Sequence, residues 1–220
     1  MKKLSLSLLG SAMLVLVSPA THAQEYMFTY SKLYTQLKNN NKEGNDDVKV
    51  GIFFVDSKTK QLCEIEKAWM EKEEHYEEFV IPATKELPLP VDKNLKSANP
   101  LVFVHTSKDT RCDYSLVVMT KEVLQGNVSY EQLTPLIPQM QTLLEDLGGM
   151  FANWFTPEVQ GVTMEFANKL NDTITFSNGS IKEIVNGKVQ VALSEIGEGG
   201  YMTLPQPTTR VLPYLPNATK

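Results

Sequence analysis

Val48-Lys49-Val50-Gly51-Ile52-Phe53-Phe54-Val55 is the stretch on which the fold turns. Short, apolar and rich in β-branched and aromatic side chains, it reads as a buried strand. Before it, Asn39 to Asp47 is polar, holds Asn39-Asn40-Asn41 and Gly44, and reads as an exposed loop. After it, Asp56 to Gln61 is a turn, and Leu62 opens the next strand through Cys63 and Ile65. Trp69 to Ile81 continues as strand and hairpin, rich in acids. The prolines of Leu87-Pro88-Leu89-Pro90 cannot donate to a ladder, so this piece suits an edge strand or extended connection. Leu101 to Thr106 and Tyr114 to Thr120 are further strands, separated by the loop Ser107 to Arg111 with Cys112 at its edge. Toward the N-terminus, Tyr26, Phe28 and Tyr30 alternate as in a first strand, and Leu33 and Leu37 mark a helical turn. Strands of this size between polar turns point to an antiparallel sandwich.

The pattern then changes. Ser129 to Gln132 fits a capping box, with Val128 and Leu133 placed for a hydrophobic staple. Pro135 and Pro138 break or kink this first turn, and Thr134 is expected to cap a longer helix. From Leu136 to Phe155 apolar residues recur at three- and four-residue steps, one face of an amphipathic helix. Beyond Pro157, Val162 to Phe166, Thr173 to Phe176, Ser180 to Val185 and Lys188 to Leu193 read as strands. Asn178-Gly179 and Asn186-Gly187 are two-residue hairpin signals. Gly197 to Gly200 is a turn, and the tail with Pro205, Pro207, Pro213 and Pro216 reads as an extended strap. The expected fold is α+β, mainly β: an antiparallel β-sandwich-like domain with one long amphipathic helix and C-terminal β-hairpins. Residues 24–125 form the disulfide-linked β part, and 126–220 the helix, hairpins and Pro-rich tail, packed with the first part as one unit.

Residues 1–23 read as a removable leader. Lys2 and Lys3 precede the short apolar run Leu4 to Val17, Pro19 breaks it, and Thr21-His22-Ala23 offers small residues for cleavage after Ala23. The run is shorter than the roughly 20 residues a membrane span needs, and no Cys follows it for lipid anchoring. The expectation is an exported, periplasmic protein beginning at Gln24, with no transmembrane segment in the mature chain. In an oxidising compartment the only cysteines, Cys63 and Cys112, are expected to pair. The whole chain carries 21 basic and 26 acidic residues, a formal charge of -5. That balance excludes a general nucleic-acid binder and disfavours anionic lipid surfaces.

The strand Lys49 to Asp56 followed by Leu62-Cys63, and Leu101-Val102-Phe103-Val104 before Cys112-Asp113, are features shared with a known group. So are Gly148-Gly149-Met150 leading to Val159-Gln160-Gly161-Val162-Thr163, and the Leu-Pro tail. Together they resemble a family of exported gammaproteobacterial proteins known only as a domain of unknown function. The resemblance spans nearly all of the mature chain. It implies a periplasmic protein with a paired-cysteine β domain and supplies no activity or site residues.

Two histidines lie beyond the leader, each near acids. Glu71, Glu73, His75 and Glu77 would share one face of a strand and could hold a divalent cation. A solvated edge strand, kept from aggregating by its charges, explains them better. His105, near Asp109 and Asp113, could act as a general base, although a strand-end hydrogen bond accounts for it more simply. No metal motif with two closely spaced His or Cys ligands, nucleophile elbow or phosphate-binding glycine loop is present, and no cofactor is expected. The helix is expected to pack across one face of the β layer; the functional alternative is that Met140, Met150, Phe151, Trp154 and Phe155 form a face for an envelope protein partner. The leading expectation is a non-enzymatic binding or accessory protein of the cell envelope. Its alternatives are a metal-dependent or hydrolytic enzyme using His75 or His105, and a carrier of a small apolar ligand.

Overall fold

The computed structural model describes residues 24–107, 110–149 and 156–216. Its central strand is β2 (Val48–Asp56), paired antiparallel with β6 (Cys112–Thr120) from Val48 opposite Thr120 to Asp56 opposite Cys112. Val50, Ile52 and Phe54 are buried on one face of β2 and Phe53 on the other. Cover on both faces is why its sequence is nearly continuous in apolar residues rather than alternating.

A second antiparallel sheet has the order β1 (Gln24–Thr29), β5 (Leu101–Thr106), β3 (Ile65–Lys72), β4 (His75–Glu78). Tyr26 and Phe28 of β1 lie against the β2–β6 pair, with Tyr26 4.8 Å from Phe54 and Phe28 5.3 Å from Tyr114, ring centre to ring centre. Burial between the layers pushes the Tyr114 hydroxyl up to about 12. Cys63 and Cys112 form a disulfide, Cα to Cα 6.4 Å, which joins the approach to β3 to the start of β6. The sandwich expected from the strand spacing is therefore present.

Helix α1 (Tyr30–Leu37) buries Tyr30, Leu33, Tyr34 and Leu37, a three- and four-residue stripe. Helix α2 (Lys93–Ala98) has no counterpart in the sequence reading. It starts because the Asp92 carboxylate accepts from the Asn94 and Leu95 amides, and it stops at Asn99 in the left-handed conformation.

The second half begins with β7 (Asn127–Ser129), α3 (Tyr130–Leu133) and α4 (Leu136–Gly148). The capping box is formed: the Gln132 amide donates to Ser129 Oγ at 3.2 Å and the Ser129 amide to Gln132 Oε1 at 2.9 Å. Thr134 does not cap α4. Its backbone is helical, whereas an N-cap needs an extended residue, and both its amide and its hydroxyl donate back to the Tyr130 carbonyl. Leu136, Met140 and Leu143 of α4 enter the core. The expected continuation to Phe155 falls on residues 150–155, outside the described residues.

Two sheets complete the chain. One has the order β10 (Ile181–Ile184), β9 (Asp172–Phe176), β12 (Tyr201–Thr203), β7. The other is β11 (Lys188–Ala192), β8 (Gly161–Glu165), β13 (Arg210–Tyr214). A single helical turn, α5 (Leu193–Ile196), follows β11. Asn178-Gly179 closes a hairpin between β9 and β10. Asn186-Gly187 also reverses the chain, but only the Val185–Lys188 bridge forms before β10 and β11 part into different sheets. The extended tail supplies β13, which pairs with β8 and runs beside β6. One buried apolar cluster contains residues of both halves, from Tyr30 and Ile52 to Met164 and Val211.

Candidate functional site

The site grows from one register. Glu165 ends β8, and both neighbouring strands place a cation directly opposite it: Lys188 on β11 and Arg210 on β13. Lys188 Nζ is 2.9 Å from Glu165 Oε1. Arg210 donates from Nε to Glu165 Oε2 at 2.8 Å and also from Nη2. The guanidinium carbon lies 5.0 Å over the ring of Phe53, which is buried on the other face of the central strand from Ile52 and Phe54. Burial pushes the Glu165 carboxyl up, but Arg210 and Lys188 together outweigh burial and hold it below the ordinary carboxylate range. One carboxylate thus answers two cations, and a positive charge is left over at the floor of a cleft.

That cleft has a volume of about 740 Å³. The first half of the chain contributes Lys60 and Lys85 to its walls, and the second half Asn168, Lys169, Asn186 and Lys188. With Arg210 there are five cations against the single lining carboxylate, in a chain whose net charge is -5. Lys85 Nζ is 2.7 Å from Glu64 Oε2. Lys60 and Lys169 have no carboxylate within ion-pair distance among the described residues.

Tight turns aim these lysines. The Asp56 carboxylate accepts from the Thr59 and Lys58 amides, which hold it below its usual range, and the turn presents Lys60 with φ 59°. Lys85 has φ 63° and donates its amide to the Pro82 carbonyl. Among the described residues seven non-glycine residues have positive φ, and five of them line this cleft: Lys60, Lys85, Asn168, Lys169 and Asn186. Side chains disfavour that region by about 1 kcal/mol or more each, so it persists where the surroundings dictate it. Gly187 closes the far turn at φ 76°. A Cβ there would lie 2.8 Å from the Phe166 carbonyl oxygen.

A second cleft of about 480 Å³ meets the first at Thr84, Thr209 and Arg210. Its ionic groups are closer to balance. Lys49 donates to both oxygens of Glu86 at 2.9 and 2.8 Å; Lys121 donates to the Asn45 carbonyl at 2.9 Å, and Glu122 follows it in the lining. Leu87, Leu89, Met119 and Val123 line the remainder.

The residues singled out from sequence lie elsewhere. His105 stands on the outer face of the β1-β5-β3-β4 sheet, its Nε2 2.6 Å from Glu25 Oε2 and its ring 4.8 Å from Trp69. His75 is exposed on the edge strand β4, beside a shallow hollow that Glu71 and Glu77 share. No group of three His, Cys, Asp or Glu able to hold a metal occurs among the described residues. Met140 is fully buried in the core. Met150, Phe151, Trp154 and Phe155 lie outside the described residues. The groove itself escaped the sequence reading because its charges come from five separate segments. The one available signal was the paired register of Lys188, Glu165 and Arg210.

One family model matches, described as a protein of unknown function (DUF2987), over residues 22–166. Lys60, Lys85 and Glu165 fall within that span, whereas Lys169, Lys188 and Arg210 lie beyond it. No curated protein and no solved structure matches the chain.

Proposed function

The chain belongs to the DUF2987 family of proteins of unknown function, and from that premise we propose that it is an exported, periplasmic binding or accessory protein that holds an anionic ligand in the cationic groove. The observation that carries the reading is the excess of positive charge in one cleft of an acidic protein: five cations, against Glu165 in the lining and Glu64 beside Lys85. Charge of that sign, gathered in a concave site with low-dielectric walls, raises the local concentration of anions. The Glu165 carboxylate fixes Arg210 without exhausting it: a guanidinium has five N–H donors, and Nε and Nη2 serve Glu165. The groove's walls are lysines, amides, threonines and apolar residues, a lining suited to holding a ligand rather than transforming it. Neither His75 nor His105 reaches it, so the hydrolytic alternative draws no support from this site.

Export rests on the leader pattern of residues 1–23 and is compatible with the Cys63–Cys112 disulfide. Among the described residues no helix is long and apolar enough to cross a membrane. Mass spectrometry of the protein from an envelope fraction is expected to find Gln24 at the N-terminus; an intact Met1 to Ala23 segment would contradict the leader. The binding reading is tested by calorimetric titration of tripolyphosphate at low ionic strength. Saturable binding that weakens as salt is raised is expected. No heat at low salt would refute it.

A further inference from the structure

The two clefts that join at Arg210 differ in kind, and the difference specifies the ligand. The larger one has Lys60, Lys85, Lys169 and Lys188 around Arg210, opposed by Glu165 in the lining and by Glu64 beside Lys85. The smaller one carries Lys49, Lys121 and Arg210 against Glu86 and Glu122, and its lysine and glutamate at positions 49 and 86 neutralise each other at 2.8 Å. Its other walls include Leu87, Leu89, Met119 and the half-exposed Val123, with Pro82 and Pro88 at the rim. Beyond Arg210, a ligand charged along its whole length would find a single lysine not paired with a carboxylate among the described residues, Lys121, and that one already donates to the Asn45 carbonyl. Resting on the anion-binding reading above, we propose that the groove takes an amphiphile: a phosphate-type head in the larger cleft and an uncharged, apolar body running past Arg210 into the smaller one.

A phosphate monoester suits the head because it carries close to two charges and three acceptor oxygens. Several separate cations can then share it, more than the two that a single carboxylate, Glu165, meets here. The backbone supports this division. The left-handed residues that fix the lysine turns cluster around the larger cleft, so the turns that carry the head's lysines are set by the fold. In the smaller cleft, Gly51 leaves room for the paired Glu86. A Cβ there would stand 2.8 Å from the Phe53 ring and 3.2 Å from Glu86 Oε1.

The test compares four probes on the full-length mature protein by calorimetry: inorganic phosphate, n-octyl phosphate below its micelle concentration, glucose 1-phosphate and octyl glucoside. Each methylene removed from water is worth about a fourfold gain in affinity. Octyl phosphate is therefore expected to bind at least tenfold more tightly than inorganic phosphate, with glucose 1-phosphate no tighter than inorganic phosphate. Val123→Asp, at an exposed position, should abolish the octyl gain and leave inorganic phosphate binding unchanged. Lys60→Glu with Lys169→Glu should weaken both phosphates. Equal affinity for octyl phosphate and inorganic phosphate would overturn the amphiphile while sparing the anion site, as would a gain for glucose 1-phosphate equal to that of octyl phosphate. Octyl glucoside binding as tightly as octyl phosphate would overturn the head assignment. If no phosphate binds, both this inference and the reading beneath it fall together.

Discussion

The outer face of the β1-β5-β3-β4 sheet and the cationic groove are both rich in charged and aromatic side chains, yet they differ in what is left unspent. On the sheet face the polar groups meet one another. Trp69 Nε1 donates to Glu71 at 2.9 Å, Tyr76 to Glu78 at 2.9 Å, and His105 is held by Glu25. Lys67 lies 3.3 Å from Glu78; Tyr76 and Glu78 raise its pKa above the lysine value, and Tyr76 and Lys67 hold Glu78 below its own. Even the ring faces are occupied: Trp69 stacks on Phe103 with centroids 5.0 Å apart. The groove instead has an ion triad at its floor, with one charge in excess, and lysines without carboxylates above it. An exposed aromatic cluster that satisfies itself is a device of sheet stability. A pre-set excess of one charge is a device of binding.

The largest expected effect lies outside both regions and sets the scale. The disulfide closes a loop with a sequence separation of 49 residues, and in the chain-entropy model such a loop is worth roughly 4 kcal/mol. Cys63→Ser with Cys112→Ser should lower unfolding stability by about that amount in a denaturant titration. A loss below about 1 kcal/mol would show that packing alone fixes the two layers.

Next comes the floor of the groove. Glu165→Gln removes the only carboxylate that Arg210 and Lys188 share, and stripping one partner from a buried ionic group costs about 3 kcal/mol. The pH dependence follows from the sign of its shift. The folded-state value of Glu165 is lowered, so its contribution is present above the unfolded value of about 4.3 and is lost as pH falls through the folded value. Stability of the wild type should therefore fall more steeply below about pH 4 than that of Glu165→Gln. Parallel curves would contradict a coupled triad.

A smaller effect belongs to the sheet face. Trp69→Ala removes ring contacts with Phe103, Tyr76 and His105 and should cost about 1 to 2 kcal/mol, given cross-strand pairs worth roughly 0.2–1 kcal/mol each plus lost burial. Anion binding should be untouched by it. The smallest stability effect is expected from Lys60→Glu and Lys169→Glu, within about 0.5 kcal/mol of wild type, because both side chains are exposed.

The contrast also explains what the sequence could disclose. The buried strand around Phe53, the capping box at Ser129 and the two Asn-Gly turns are local signals, and each occurs where residue chemistry places it. The cysteine pairing was legible because only one pairing exists. Three things were not. Pairing beyond Asn186-Gly187 depends on which sheets capture β10 and β11, a competition decided by distant strands. Thr134 carried the right side chain for a cap, but its amide and hydroxyl both bond the Tyr130 carbonyl and hold its backbone in the preceding helical turn, despite the proline that follows. The groove needs Lys60, Lys85, Lys169, Lys188 and Arg210 in one place, and only the antiparallel pairing of β11 and β13 onto β8, with the turns above them, gathers these charges. The histidines, conspicuous in sequence, lie away from the groove: His105 is held by Glu25 on the sheet face, and His75 is exposed on the edge strand.

The central claim is that the groove, rather than the aromatic sheet face, is where this protein meets its ligand. The direct measurement is the affinity for tripolyphosphate in three proteins at one low ionic strength: wild type, Lys60→Glu with Lys169→Glu, and Trp69→Ala. The groove variant is expected to lose at least tenfold in affinity while remaining folded, and Trp69→Ala to bind as the wild type does. Binding that survives reversal of both lysines, or that disappears with Trp69, would contradict the claim.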